Sequence, residues 1–170
     1  MALNGAKDVV PIGIGEMHVS DKPGDVLVAY GLGSCVGVVI HDPIGKVGGM
    51  VHVALPESLS APRSEERPDA RRYADVGVPM LVGEVLRLGG MKARLVARIA
   101  GGAKMFDVTP ELEFMDIGAR NSVAVRAELE AMGIPIVAED IGGADGRTLR
   151  YVVGREQVFV RKLGMREVEL

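Results

Sequence analysis

Short aliphatic runs, most of them too brief for helices, alternate along the chain with breaks marked by glycine, proline or charge. Val9 to Ile14 is bounded by glycines and reads as a strand. Ser20 to Asp25 is a polar turn around Pro23-Gly24. Val26 to Tyr30 is a β-rich run entering the turn Gly31-Leu32-Gly33-Ser34-Cys35, and Val36 to His41 follows as a strand buried on both faces. Asp42-Pro43-Ile44-Gly45 suits a type I turn, so Lys46 to Leu55 should return as the second strand of a hairpin.

Pro56 to Arg72 is rich in Pro, Ser, Glu and Arg and reads as a surface loop long enough for a lid. A helix then ends near Leu88 at Gly89-Gly90, with Val78, Leu81, Val82 and Val85 in one apolar stripe. Pro79 marks either the first turn of that helix or a kink. Lys92 to Ala100 is a strand, residues 107 to 116 are an acidic loop, and a second helix runs from Ile117, capped by Asp116, to Met132. Ile136 to Ile141, Leu149 to Val153 and Gln157 to Lys162 complete the strands. The pattern predicts one α+β domain over residues 1–170, with about seven strands and two helices grouped irregularly rather than as βαβ repeats.

Composition narrows the function. Twenty basic and 23 acidic residues leave a net charge of −3, which gives no field for gathering phosphates, so nucleic acid is not the expected partner. Hydrophobic residues make up 48% of the 170 positions, yet aromatics are only 4% and Trp is absent, so the core is aliphatic and filled with Met. Glycine occupies 23 positions, implying many tight turns or close backbone approaches. No run approaches a bilayer span and the start lacks the pattern of a signal peptide, so the cytoplasm is the expected compartment.

Most candidate motifs fail. Gly31-Leu32-Gly33-Ser34-Cys35-Val36 has Val36 where a dinucleotide fingerprint needs its third glycine, and a strand follows where a helix should start. Gly45-Lys46 lacks the first glycine and the Ser or Thr of a phosphate loop. His18, His41 and His52 have no helical ligand spacing, so neither metal nor cofactor is expected.

Cys35, the single cysteine, excludes an intrachain disulfide. A lone cysteine beside valines is often a small buried hydrophobe. Its place at the end of a glycine-rich turn offers another reading, in which the amides of Gly33, Ser34 and Cys35 surround a nucleophilic sulfur and hold an oxyanion. A thiol with a pKa near 8.5 needs a base. If Asp42 pairs with Gly45, opposed residues sum to 87 and Cys35 faces His52, with Cβ atoms ~4.5–5.5 Å apart. If Gly45 bulges, the sum is 88 and the side chains part to opposite faces unless Gly37, Gly48 or Gly49 compensates. His52 otherwise reads as a hydrogen-bonded strand histidine.

The segments Gly31-Leu32-Gly33-Ser34-Cys35-Val36, His41-Asp42-Pro43 and Gly48-Gly49-Met50-Val51-His52-Val53-Ala54-Leu55-Pro56 closely resemble the CheD family, the chemoreceptor glutamine deamidases of bacterial and archaeal chemotaxis. Tyr73-Ala74-Asp75, Ala100 to Phe106, Ile117 to Asn121 and Ala138 to Gly143 extend the match in family order. The resemblance implies a layered sandwich of mixed β-sheets with flanking helices, similar to the catalytic domain of certain deamidating toxins. It implies Cys35 as nucleophile, His52 as general base and acid, and the backbone amide of Ser34 in the oxyanion region. The implied substrates are glutamine side chains, and by the same chemistry glutamyl methyl esters, on methyl-accepting chemoreceptors, with the membrane met only through the receptors. A CheC-type phosphatase is the implied partner.

One departure stands out. The family often places Thr or Ser six residues before the cysteine to orient the histidine, and here that residue is Ala29. Ser20, Ser34 or a backbone carbonyl could hold His52 instead. The rival to the enzyme reading is a regulatory module that docks CheC or a receptor helix, with Met105-Phe106 as contact and a weakened or vestigial catalytic pair. A third reading is a structural domain with an inert thiol.

Overall fold

The computed structural model describes residues 8–58, 69–107 and 109–170. In chain order they form β1 (Val9–Pro11), β2 (Met17–Ser20), β3 (Val26–Leu32), β4 (Val36–Asp42), β5 (Val47–Val53), α1 (Ala74–Arg87), β6 (Val96–Gly101), α2 (Ile117–Ala131), β7 (Ile136–Ile141), β8 (Arg147–Val152), β9 (Gln157–Lys162) and β10 (Val168–Glu169). The strands make two five-stranded mixed sheets, ordered β1-β3-β8-β9-β10 and β2-β5-β4-β6-β7. Only β1 with β3 and β6 with β7 pair in parallel. The fold is the α+β sandwich of mixed sheets with flanking helices that the sequence predicts.

Two hydrophobic layers hold it together. Leu27, Ala29 and Leu32 of the first sheet meet Val39 and Met50 of the second in a core between the sheets, where Cys35 also packs. Val36, Val38, Ile40, Val51 and Val53 face the other way, onto Val78, Leu81, Val85, Val125 and Leu129 of the helices. Strands β4 and β5 are therefore buried on both faces. That is why they read as nearly continuous apolar runs rather than alternating ones.

The helices follow their sequence signals in part. The stripe Val78, Leu81, Val82 and Val85 is buried, but α1 begins at Ala74, so Pro79 lies inside the helix rather than in its first turn. Gly77 is required there, because a Cβ would sit 2.2 Å from the Arg71 carbonyl oxygen. Helix α2 starts where expected, and the Asp116 side chain accepts from Ala119 N at 3.0 Å.

Elsewhere the structure corrects the pattern. Val9 to Ile14 yields only the three-residue β1; Ile12 N still donates to Val28 O at 2.8 Å, but its carbonyl is given to the His52 imidazole of the second sheet. Lys92–Arg94 is a 3-10 turn and the strand begins only at Val96. The acidic segment contains a 3-10 helix at Pro110–Met115. Strands β2 and β10 were not anticipated; at four and two residues they are too short to show a period. In the expected lid, residues 59–68 lie outside the described ones. Its flanks are tied down, since Leu55 bridges Tyr73 and the Asp75 carboxylate accepts from Ser58 Oγ at 2.9 Å.

Candidate active site

The hairpin of β4 and β5 sets the register of the site. Asp42 pairs with Val47, not with Gly45 or Lys46, so opposed residues sum to 89. Four residues, Pro43 to Lys46, make the turn. Asp42 Oδ1 accepts from Ile44 N and Gly45 N at 3.0 and 2.8 Å, the Asp42 carbonyl accepts from Lys46 N at 3.0 Å, and Lys46 takes a left-handed φ of 55°. The turn is thus two residues longer than a two-residue type I loop, and both extra residues lie on the β5 side. The residue opposite His52 is therefore Gly37, and Cys35 lies two positions earlier, in the bend that precedes β4.

A slip of two leaves the facing unchanged, because side chains alternate with period two. Gly37 and His52 lie on the inter-sheet side: a Cβ at Gly37 would meet Leu149 and Leu32 of the first sheet at 2.8 and 3.0 Å. Cys35 packs into the same layer.

The Cys35 turn is held by its carbonyls. Gly33 O accepts from Ala103 N, Cys35 O from Gly102 N, each at 2.8 Å, and Ser34 O from Asn121 Nδ2 at 2.9 Å. A trans peptide points its N–H opposite to its C=O. The Ser34 amide is thus turned away from Ala103 N and the Cys35 amide from Asn121 Nδ2, and among the described residues neither donates to another residue. Gly101 and Gly102 allow the approach: a Cβ on Gly101 would lie 2.0 Å from the Cys35 carbonyl oxygen. Burial pushes the Cys35 thiol above its usual range, and its own amide N–H partly offsets this.

His52 is 3% exposed and held by the segment between β1 and β2. Its Nδ1 lies 3.0 Å from the Ile12 carbonyl oxygen, to which it donates. On the main chain, His52 N donates to Glu16 O at 3.1 Å and His52 O accepts from Gly15 N at 2.9 Å. With the proton on Nδ1, Nε2 carries the free lone pair, and it is buried without a hydrogen-bond partner, Cys35 included. Burial lowers the imidazole pKa, while the Ile12 carbonyl and Glu16 act in the opposite sense. Thiol and imidazole are both neutral near pH 7.

The Ile12 carbonyl accounts for what Ala29 lacks. Ala29 is fully buried opposite Leu149, with no room left for polar chemistry. Ser20 Oγ is committed to Asp25 Oδ2 at 2.7 Å, and the imidazole Nδ1 is already taken by the Ile12 carbonyl, so no serine hydroxyl is needed to hold it. Introducing a hydroxyl with Ala29→Thr should raise kcat by no more than about twofold and cost ~1–3 kcal/mol for placing a polar, branched side chain at a fully buried position. Steady-state rates and chemical denaturation of the two proteins check this.

Two contributors carried no sequence signal. A backbone carbonyl such as that of Ile12 leaves no trace in residue identity. Asn121 was visible only as part of a matching segment, with no chemistry attached. The other histidines lie apart from the site: His18 is on the edge strand β2, and buried His41 has its Nε2 2.5 Å from Arg98 Nη1.

Beside Ser34 opens a cleft of about 170 Å³, lined by Lys104, Met105, Phe106, Met115 and Ile117 among others. On its apolar rim Phe106 is 82% exposed, and Phe114, next to the lining residue Met115, is 69% exposed. In a chain with three phenylalanines this concentration is a surface feature, not core.

Comparison with known proteins agrees with this architecture. A crystal structure of Neisseria meningitidis protein NMB0706, of the DUF152 family model, superposes with a TM-score of 0.50 at 10% identity, covering 87% of this chain and 76% of that one, a likeness of fold alone. The probable chemoreceptor glutamine deamidase CheD of Symbiobacterium thermophilum is 46% identical over 94% of this chain and 95% of its own. That of Clostridium novyi is 40% identical over 94% and 96%. The family model described as CheD chemotactic sensory transduction matches residues 54–162, and with relatives this similar along nearly their whole length, the chain belongs to the CheD family.

Proposed function

We propose that this protein is a chemoreceptor glutamine deamidase in which Cys35 is the nucleophile and His52 the general base and acid. The observation that carries the reading is the His52 imidazole, fixed through Nδ1 on the Ile12 carbonyl with a buried, unpartnered Nε2 facing the same layer as Cys35. A histidine kept only for packing would leave no acceptor nitrogen orphaned. Catalytic hydrogen bonds are commonly long in a free enzyme and tighten with substrate.

The chemistry runs in two halves. Nε2 takes the Cys35 proton as Sγ attacks the glutamine side-chain carbonyl, and the amides of Ser34 and Cys35 receive the oxyanion. The C–N bond breaks as His52 returns the proton to the leaving ammonia, leaving a glutamyl thioester. His52 then deprotonates water, which attacks the thioester, and the thiolate departs with the proton from His52. Glutamate remains on the receptor. A glutamyl methyl ester would pass through the same thioester, with methanol leaving.

A protein substrate fits the surroundings. The apolar rim of Met105, Phe106 and Met115 beside the turn, with Phe114 exposed next to Met115, offers a landing for a helix of the receptor's cytoplasmic part. No helix among the described residues is long and apolar enough to cross a membrane. The same rim supports the regulatory reading, in which a CheC-type phosphatase docks here.

Mass spectrometry of receptor cytoplasmic segments incubated with wild type and with Cys35→Ala tests the assignment. Gln-to-Glu conversion by wild type alone is expected. Equal conversion by both overturns the enzymatic reading, and binding of CheC without conversion by either establishes the regulatory one.

A further inference from the structure

Asn121 is a fully buried carboxamide on α2, remote in sequence from both members of the pair. Its Nδ2 donates to Ser34 O and to Ala54 O, each at 2.9 Å. Ser34 precedes the nucleophile and Ala54 lies two residues beyond His52, so one amide group ties the turn of the one to the strand of the other. The Oδ1 atom is buried and unpartnered. A carboxamide retained for stability alone would satisfy both ends, since an unpaired buried acceptor costs free energy.

The peptide joining Ser34 to Cys35 shows what this arrangement achieves. It is planar and trans, so the direction of Ser34 C=O dictates the opposite direction of Cys35 N–H. By holding the carbonyl, Asn121 aims the amide that meets the developing oxyanion. No other donor to Ser34 O is found among the described residues. The neighbouring carbonyls of Gly33 and Cys35 are held by main-chain donors, which no side-chain substitution removes.

We infer that Asn121 is a positioning residue of the acyl-transfer reaction, fixing the Cys35 amide as an oxyanion donor from outside the catalytic pair. This rests on the deamidase reading above. It predicts a selective defect: carbonyl attack needs the aimed amide, whereas alkylation of the thiol by iodoacetamide builds no oxyanion and does not.

The experiment compares wild type, Asn121→Ala, Asn121→Ser and Val125→Ala. Val125 is a core residue one turn further along α2 whose apolar side chain makes no hydrogen bond to either carbonyl. Its variant therefore reports the cost of merely loosening the helix. Deamidation of receptor segments gives kcat and KM, iodoacetamide gives the reactivity of Cys35 as a function of pH, and thermal melts report folding. Asn121→Ala is expected to lose about 10- to 100-fold in kcat, with KM within about threefold and an unchanged alkylation profile. Asn121→Ser, whose hydroxyl can serve one carbonyl at most, should lose less.

A kcat loss no larger than that of Val125→Ala overturns the assignment. So does an alkylation profile that shifts in step with kcat, or failure of both Asn121 variants to fold, since each marks a structural role. If wild type itself converts no glutamine in a Cys35-dependent way, the deamidase reading fails and takes this inference with it. Wild-type conversion with undiminished Asn121 variants removes this inference alone.

Discussion

His52→Gln should lower kcat for glutamine conversion by about 10²- to 10⁴-fold, the usual worth of a positioned general base, and Cys35→Ala should abolish it. Glutamine is close to histidine in reach, but its carboxamide falls at the place of Nε2 rather than Nδ1, so the tie to the Ile12 carbonyl is lost as well and a melt of the variant accompanies its rates. What the reaction loses is the basic lone pair on Nε2. Because the thiol is held up and the imidazole down, the wild-type pair does not rest as a thiolate and imidazolium at neutral pH, and proton transfer must accompany attack. The sign of the pH dependence follows. Only the neutral imidazole accepts the proton, and its pKa lies below the ordinary 6.5, so wild-type kcat/KM should fall on the acid side with a midpoint below that value. A midpoint at or above 6.5, or a His52→Gln enzyme within about tenfold of wild type, would count against His52 as the base.

The largest expected effect on stability lies one strand end away. Asp42→Ala should cost about 3 kcal/mol or more, measured as a shift in the denaturation midpoint. The Asp42 carboxylate is fully buried and takes five donors: Ile44 N, Gly45 N, Met91 N at 2.9 Å, and Arg94 Nε and Nη2, the last at 2.6 Å. It thereby joins the hairpin turn to the segment that leads into β6. Truncation leaves the guanidinium and three amides to find other partners, although Arg94 is 29% exposed and regains some water. Asp42→Asn should lose less, since one oxygen still serves the turn amides. Arg94 holds the carboxyl well below the usual carboxylate range. Its stabilisation is therefore present above the unfolded pKa near 3.8 and is lost as pH falls below it. Wild type should show that acid loss and Asp42→Ala should show less of it. The same lesion should reach the site indirectly, because the turn of Pro43 to Lys46 sets the register that puts Gly37 opposite His52.

Much of this was open to reading from residue order. Strands β7 and β9 fall on the expected residues, the α1 stripe faces the helix-side core, and Asp116 caps α2. The glycine-rich turn before a doubly buried strand picked out Cys35, whereas the hairpin left two registers open, only one of which put His52 on the same side of the sheet; the observed register is a third that shares its parity. These are local properties: apolar period, turn chemistry and capping each act over a few residues, so neighbours in sequence suffice to reveal them.

The remainder depends on contacts between distant segments. The register of β4 on β5 turned on a left-handed Lys46 and a carboxylate shared with Arg94, neither of which the turn residues announce. Strand β2 is short, and it exists because β5 offers it an edge. What orients His52 is the main-chain carbonyl of Ile12, 40 residues away, and a carbonyl is the same atom whatever the side chain beside it. Asn121 reaches Ser34 across 87 residues of sequence. Residue order by itself determined which faces are buried, where the chain turns and where the candidate nucleophile sits. Only the tertiary structure decided how the backbone groups around that cysteine and its histidine are aimed, because hydrogen-bond direction is settled by packing and leaves no mark on composition or period.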